Sequence, residues 1–512
     1  MRHTHAYNQR ILRVTSCVLA VLLLLSALCV TGCGTENSED ESGTTAASAA
    51  ESSGETSTEK TADAALNRIG NPDWGGKSFT ILYTNDITGY TDEIYAEDLG
   101  SASGNYGQGV SDAVYERNQL FETRCSLKLN LVGRDRINVA NLLRQEVNSP
   151  ADEYQLVTET TDTTALLATE GMLHDYLSLG NIDFDAPWWD VGTLDFALNG
   201  RVYFMNGAHN FVDDDVTFVM IFNKKMQSDR RIPDLYQTVR NSEWTLEYFN
   251  SVIQNVSNDS NGDGRMDEND TYGFTSPSTI GNTFFYGADM HYINNNRTME
   301  RPELALDDGA MHKATALLDI VRNITLDNNA SWIAPGGSET IASNIFKSDR
   351  ALFYCEAASY LTGLNKEMSG DYGVLPIPKY DKAQENYLTW AHAIGSTFSI
   401  PRSVGRTDIL GDVLETFVVL SYQTVKPAYY DNMLTKKNVR DGESGEMLEL
   451  IFQNRVYDMA VYFSSLGMAG LFAEAALTPS QQFASAYQKV SRSFPRRINA
   501  ILQALDKTEK GN

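Results

Sequence analysis

The densest group of chemistry-bearing residues is the run Asp259-Ser260-Asn261-Gly262-Asp263-Gly264-Arg265-Met266-Asp267-Glu268-Asn269-Asp270. Asp259, Asn261, Asp263, Asp267 and Asp270 stand at positions 1, 3, 5, 9 and 12, Arg265 brings a backbone carbonyl at 7, and glycine holds 6. This is the oxygen-ligand spacing of an EF-hand calcium loop. Aspartate replaces the usual terminal glutamate, and Thr271-Tyr272-Gly273 does not continue as a helix. The expectation is therefore a structural Ca2+ that pins a surface loop, with an ion-free Asx turn as the alternative. Trp188 and Trp189, between Pro187 and Asp190, can stack on a sugar ring or fill a core, and Trp189 is assigned to a ligand face. Asp213, Asp214 and Asp215 read as a solvated charge run. Catalytic signatures are absent: there is no GxSxG elbow and no HExxH. Gly70 to Ser78 has one residue too many for a phosphate loop and precedes a strand instead of following one. Paired carboxylates are plentiful, as in any acidic chain, and by themselves do not indicate a glycosidase. No catalytic residue is assigned.

The N-terminus sets the compartment. Arg2, Arg10 and Arg13 precede an apolar run, Val18 to Leu28, too short to span a bilayer comfortably. It ends in Val30-Thr31-Gly32-Cys33, which resembles the lipobox of bacterial lipoproteins. The expectation is a signal peptide over 1–32 and lipidation of Cys33 on the extracellular face of the cytoplasmic membrane. Residues 34–66 carry eight acids and one base, Lys60, with almost no large apolar side chains. Such composition predicts a disordered tether over 33–66. A net charge of −26 argues against nucleic acid as a partner. Once the leader is removed and Cys33 lipidated, Cys125 and Cys355 remain, and free buried thiols are favoured over a disulfide.

Behind these groups lies an alternation of strands and helices. Lys77–Thr84, Lys128–Val132 and Tyr154–Thr158 read as strands, with helices over Gly109–Arg124, Ile137–Val147 and Thr163–Leu173 between and after them. The pattern predicts an α/β fold with a mostly parallel sheet covered on both faces. Ligands of such sheets sit beyond the carboxyl ends of the strands, which selects Asn85 and Asp86 after the first strand and Thr161 and Asp162 after the third. Later strands are expected at Arg201–Met205, Thr217–Phe222, Ala351–Tyr354, Tyr372–Ile377 and Thr397–Ile400. Helices follow at Leu410–Tyr422, Gly445–Ser464 and Ser480–Ala504.

Four stretches, Thr164–Leu177, Arg350–Tyr354, Tyr372–Lys379 and Trp244-Thr245 before a helix, together with the Cys33 motif, resemble the extracellular solute-binding proteins of the maltose type. The Tyr429–Tyr462 region is similar to Gram-positive lipoproteins of that group. The resemblance implies two α/β lobes of the type II periplasmic-binding-protein class, joined by hinge strands near Phe218–Asn223 and Gly373–Lys379, with lobe 1 over 77–220 and 379–405 and lobe 2 over 221–378 and 406–505. It implies a monomer that is not an enzyme. Such a protein captures a small solute, a sugar or oligosaccharide, by lobe closure and delivers it to ABC permease subunits. Phe285, Glu356 and Trp390 join Asn85, Asp86, Thr161, Asp162 and Trp189 as expected ligand contacts. A surface carbohydrate-active enzyme, a sensor, and a peptide or polyamine binder are the alternatives.

Overall fold

The computed structural model describes residues 55–100, 104–327, 329–336, 338–434 and 441–510. Cys33, residues 1–32 and most of the expected tether lie outside them. The first helix, α1 (Glu55–Ile69), is a correction to that tether. Ala62, Ala65 and Leu66 recur at helical spacing and are buried in one cluster with Trp74 and Phe79, so the last turns of α1 belong to the folded body. Arg124 Nη2 donates to the Leu66 carbonyl at 2.5 Å, and Gln423 Nε2 to Asp63 at 2.8 Å.

Fourteen strands are described. The first sheet runs in the order β2-β1-β3-β13-β4, made of β1 (Ser78–Thr84), β2 (Lys128–Arg134), β3 (Leu156–Thr160), β4 (Phe204–Met205) and β13 (Ser396–Ser399). β1, β2 and β3 are parallel and β13 is antiparallel to both β3 and β4. The second sheet runs β11-β5-β10-β6-β9, from β5 (Phe218–Asn223), β6 (Tyr272–Ser276), β9 (Ser331–Ile333), β10 (Ala351–Ala357) and β11 (Tyr372–Leu375). β6, β9 and β10 are parallel, and β5 runs against its neighbours. Two small pairs complete the set: β7 (Ile293–Asn294) with β8 (Glu303–Leu304), and β12 (Thr389–Trp390) with β14 (Arg455–Val456). β5 is buried along its whole length and β1 at all but its first residue, which is why they read as unbroken apolar runs.

Helices cover both faces. α2 (Gln108–Arg124) and α3 (Arg136–Asn148) link the first three strands, and Asp135 caps α3 by accepting from Asn138 N at 3.1 Å. α4 (Thr161–Thr169) starts at the end of β3. In the second lobe α5 (Ile280–Gly287) follows β6. After β13 come α6 (Thr407–Gln423), α7 (Val425–Leu434) and α8 (Gly442–Gln453). Two lobe boundaries shift from expectation. Phe218–Met220 belong to the second sheet, not the first. α6, assigned to lobe 2 within 406–505, packs on α2, where Phe121 and Phe417 meet edge-to-face at 5.0 Å. The long apolar spacing over Gly445–Ser464 also does not make one helix. It breaks at Asn454, gives β14, and resumes only as the short turn Met459–Tyr462. The Ser480–Ala504 stretch likewise divides into Phe483–Ser491 and Phe494–Lys510.

Candidate functional site

The chain passes between the sheets twice: over 206–217, from β4 to β5, and over 376–395, from β11 to β13. These segments join the two sheets; of the expected crossings, Phe218–Asn223 is β5 itself, while Gly373–Lys379 runs from β11 into the second segment. They hold each other, with His392 N donating to the Val216 carbonyl at 3.0 Å and Thr217 bridged to Ala391. Gly395 admits the close pass, since a Cβ there would stand 3.1 Å from Val216 Cγ2. The strand ends of both sheets attach to the same two segments. From the first sheet, Thr161 N and Oγ1 donate to the Gly395 carbonyl at 3.0 and 2.9 Å, and Asp162 N to the Ala393 carbonyl at 3.2 Å. Tyr90, in the connection after β1, donates its hydroxyl to the Ile394 carbonyl at 2.9 Å. From the second, Ala358 N donates to Thr217 and Ser359 N to Asp215, both at 2.9 Å. The carboxyl ends of β3 and β10 thus lie on either side of one pair of crossing strands, the position where open α/β sheets take their ligands.

Buried acids brace this junction. Glu93 Oε1 accepts from Phe211 N and Val212 N at 2.6 Å and from Ser396 Oγ at 2.8 Å, so one carboxyl ties the first crossing to the start of β13. Burial pushes it up to about 8, against its backbone donors. Glu159 accepts from Thr84 Oγ1 at 2.6 Å and is pushed by burial to about 7. Asp215 receives the hydroxyls of Tyr106 and Tyr429, and burial raises it to about 7. The expectation that Asp213 to Asp215 are solvated is wrong: all three are buried in a short turn between β4 and β5. Run length in sequence did not reveal the partners that make this tolerable, namely Tyr106, Tyr429 and Arg455.

No protein-family model matches the chain, and no curated protein sequence matches it. Solved structures do. The galacto-N-biose/lacto-N-biose I-binding protein of an ABC transporter from Bifidobacterium longum superposes at TM-score 0.53 and 15% identity, covering 84% of this chain and 98% of that one. A cyclo/maltodextrin-binding protein complexed with maltotetraose gives 0.52 at 12% identity, over 84% and 98%. The GacH receptor of Streptomyces glaucescens, solved with acarbose, gives 0.51 at 11%, over 83% and 99%. The chain has the fold of ABC-transporter solute-binding proteins.

Within this solute-binding fold, the sequence-selected residues fall into three groups. Asn85 and Asp86 are exposed just after β1, and Asp86 accepts from Arg136 N at 2.9 Å. Thr161 is buried and Asp162 half-buried at the start of α4. Glu356, half-buried near the end of β10, accepts from Tyr354 Oη at 3.0 Å and Ala357 N at 2.9 Å, and burial raises its carboxyl. These five stand at strand ends. Phe285 and Trp390 do not reach a ligand surface. Phe285 is fully buried and stacks on Tyr292 at 4.6 Å, because its face of α5 packs into the second-lobe core. Trp390 lies flat on Phe218 at 5.1 Å and donates Nε1 to Thr283 Oγ1 at 3.0 Å, so both ring face and polar edge are taken. Trp189 is largely buried; its Nε1 and that of Trp188 donate to Glu415 at 2.8 and 3.1 Å. Part of its surface lines a cavity discussed below. The residues sequence reasoning missed are Tyr90, Glu93 and Ile394, which hold or form the crossing segments. The crossing expected at Gly373–Lys379 already pointed to that region.

In the Asp259–Asp270 loop the carboxylates turn onto the loop's own backbone. Asp259 accepts from Gly262 N and Gly264 N at 2.7 and 2.8 Å, Asp263 from Arg265 N, Asn269 N donates to Asp267, and Asp270 accepts from Ser260 N. Each oxygen keeps a lone pair. Among the described residues, no three His, Cys, Asp or Glu side chains converge as metal ligands. Cys125 and Cys355 are free and buried.

Proposed function

We propose that this chain captures a small carbohydrate between its two lobes and delivers it, chemically unchanged, to permease subunits of an ABC importer. We further propose that Cys33 carries the lipid that holds it at the extracellular face of the membrane. The observation that carries the reading is the fold, with polar strand ends of both sheets attached to one pair of crossing segments. Closure over a ligand needs contacts from both lobes, or the closed state gains nothing. Asp86 and Asp162 on one side and Glu356 on the other supply acceptors for sugar hydroxyls, and the exposed Ile394 supplies apolar surface. Among the described residues no helix is long and apolar enough to cross a membrane, which fits anchoring by a terminal lipid.

The test is calorimetric titration of the purified chain with malto-, raffinose- and lacto-series oligosaccharides. Binding of at least one, with the sugar recovered intact, is the expected result. Asp162→Ala and Glu356→Ala should each weaken it by about tenfold or more while leaving the melting temperature within a few degrees. A shortened sugar in the recovered ligand would make the protein an enzyme, and affinity unchanged in both variants would move the site elsewhere.

A further inference from the structure

Beyond the carboxyl end of β4 lies a cavity of about 400 Å³ that none of Asn85, Asp86, Thr161, Asp162 or Glu356 lines. β4 is the edge strand of its sheet, separated from β1 by β13 and β3, so the cavity is displaced toward the hinge edge of the sheet. Its walls come from both lobes. Trp189 lies between β3 and β4 of the first sheet, Phe211 and Asp213 lie in the first crossing, and Tyr429 and Tyr430 sit on α7, which packs on α2. Phe452 ends α8, which packs on β11 of the second sheet. Arg455 stands on β14, paired to the second crossing through β12.

The charges are unequal. Asp190, Asp213, Asp214 and the exposed Glu449 line it together with Arg455 and Lys426, four carboxylates against two cations. Arg455 alone serves three of them, at 2.8 Å from Asp190, 3.2 Å from Asp213, and in direct contact with Asp214. Burial holds Asp213 up to about 7 and raises Asp214, against the pull of Arg455. Their hydrogen-bonding capacity is nevertheless well used. Asp190 also accepts from Tyr457 Oη at 2.6 Å and Gly192 N at 3.0 Å, and Asp213 from Asn206 Nδ2 at 3.3 Å and Asp214 N at 3.0 Å. What the cavity lacks is positive charge, more than further hydrogen-bond donors. Five aromatic rings line it, with Phe211 and Tyr429 stacked on each other at 4.7 Å and the Lys426 ammonium 5.7 Å from the Tyr430 ring centre; aromatic surface of this kind receives a diffuse cation.

We propose that this cavity is a second binding site, selective for a small methylated organic ammonium compound, whose occupation is coupled to lobe orientation because its walls belong to both lobes. A primary amine would need three acceptors for its own hydrogens, whereas Asp190, Asp213 and Asp214 already serve Arg455; a methylated head needs only charge and aromatic surface. The walls change their spacing when the lobes turn about 206–217 and 376–395, so ligand here favours the one orientation that fits it.

Calorimetry of the purified full chain with choline and with its uncharged carbon isostere tests this. Choline should bind one-to-one, and the isostere at least about tenfold more weakly. Val191→Trp places a bulky ring at the exposed rim and should abolish choline binding, while Asp214→Asn should weaken it by about tenfold. Glu356→Gln, at the strand ends, should leave it unchanged. Val191→Trp alters no strand-end residue, so loss of choline with oligosaccharide binding retained separates the two sites. No heat with choline up to about 10 mM, equal affinity for the isostere, or undiminished binding by the Val191→Trp protein would each overturn the proposal.

Discussion

Replacing Glu93 by glutamine isolates one buried carboxyl. It is fully buried, its Oε1 takes three donors, and its folded-state value of about 8 stands far above the ordinary 4.5. A raised carboxyl contributes stability that is complete below the unfolded value and is lost as pH rises through the folded one. The loss therefore runs from about 4.5 to about 8, at about 1.4 kcal/mol per pH unit. At pH 7 the neutral form has cost the fold about 2.5 units, or roughly 3 kcal/mol. Glutamine keeps the acceptor oxygen and never ionises. Glu93→Gln should match the parent near pH 5 and exceed it by roughly 3 kcal/mol at pH 7, the gap levelling above about pH 8. Urea unfolding followed by tryptophan fluorescence across this range measures it, and the parent-minus-variant difference removes slopes shared with Glu159 and Asp215. A variant less stable than the parent by a pH-independent amount would refute the reasoning. It would mean that Glu93 is ionised and balanced by Arg117, whose buried guanidinium donates to the Glu93 backbone carbonyl at 2.8 Å.

Three further outcomes are expected. Calcium is proposed for the Asp259–Asp270 loop as a structural ion, so a chelator should lower the melting temperature and Asp259→Ala with Asp263→Ala should remove that sensitivity; a chelator-insensitive parent would leave the loop held by its backbone bonds alone. Phe285→Ala should cost about 3–5 kcal/mol in urea unfolding while the folded fraction keeps its sugar affinity, and an affinity loss without destabilisation would return Phe285 to the ligand surface. Leu66→Ala should cost about 2–5 kcal/mol, since that side chain is buried with Trp74 and Phe79, whereas a neutral result would restore residues 55–66 to the tether.

The α/β alternation was legible because β1, β5 and β10 are buried along nearly their full length, and continuous apolar runs bounded by polar turns carry that information locally. The ends of β1 and β3 followed from the same alternation. The crossings did not, because what marks 206–217 and 376–395 is the pairing of residues far apart in sequence, such as His392 with Val216. Phe285 and Trp390 were misplaced because an aromatic side chain gives the same sequence signal in a core as on a ligand surface; only the stacking of Trp390 on Phe218 decides. α1 was missed since alanines carry its contact, and small apolar residues in an acidic, serine-rich stretch read as solvated. The break at Asn454 had no local mark, as apolar spacing continues across it, and the β12–β14 pairing overrides it.

The docking of α1 has a mechanical consequence. The last turns of α1 are held on the lobe of β1 and α2, through Leu66, Arg124 and Gln423. A pull on the N-terminal end is borne by that helix and transmitted to one lobe only.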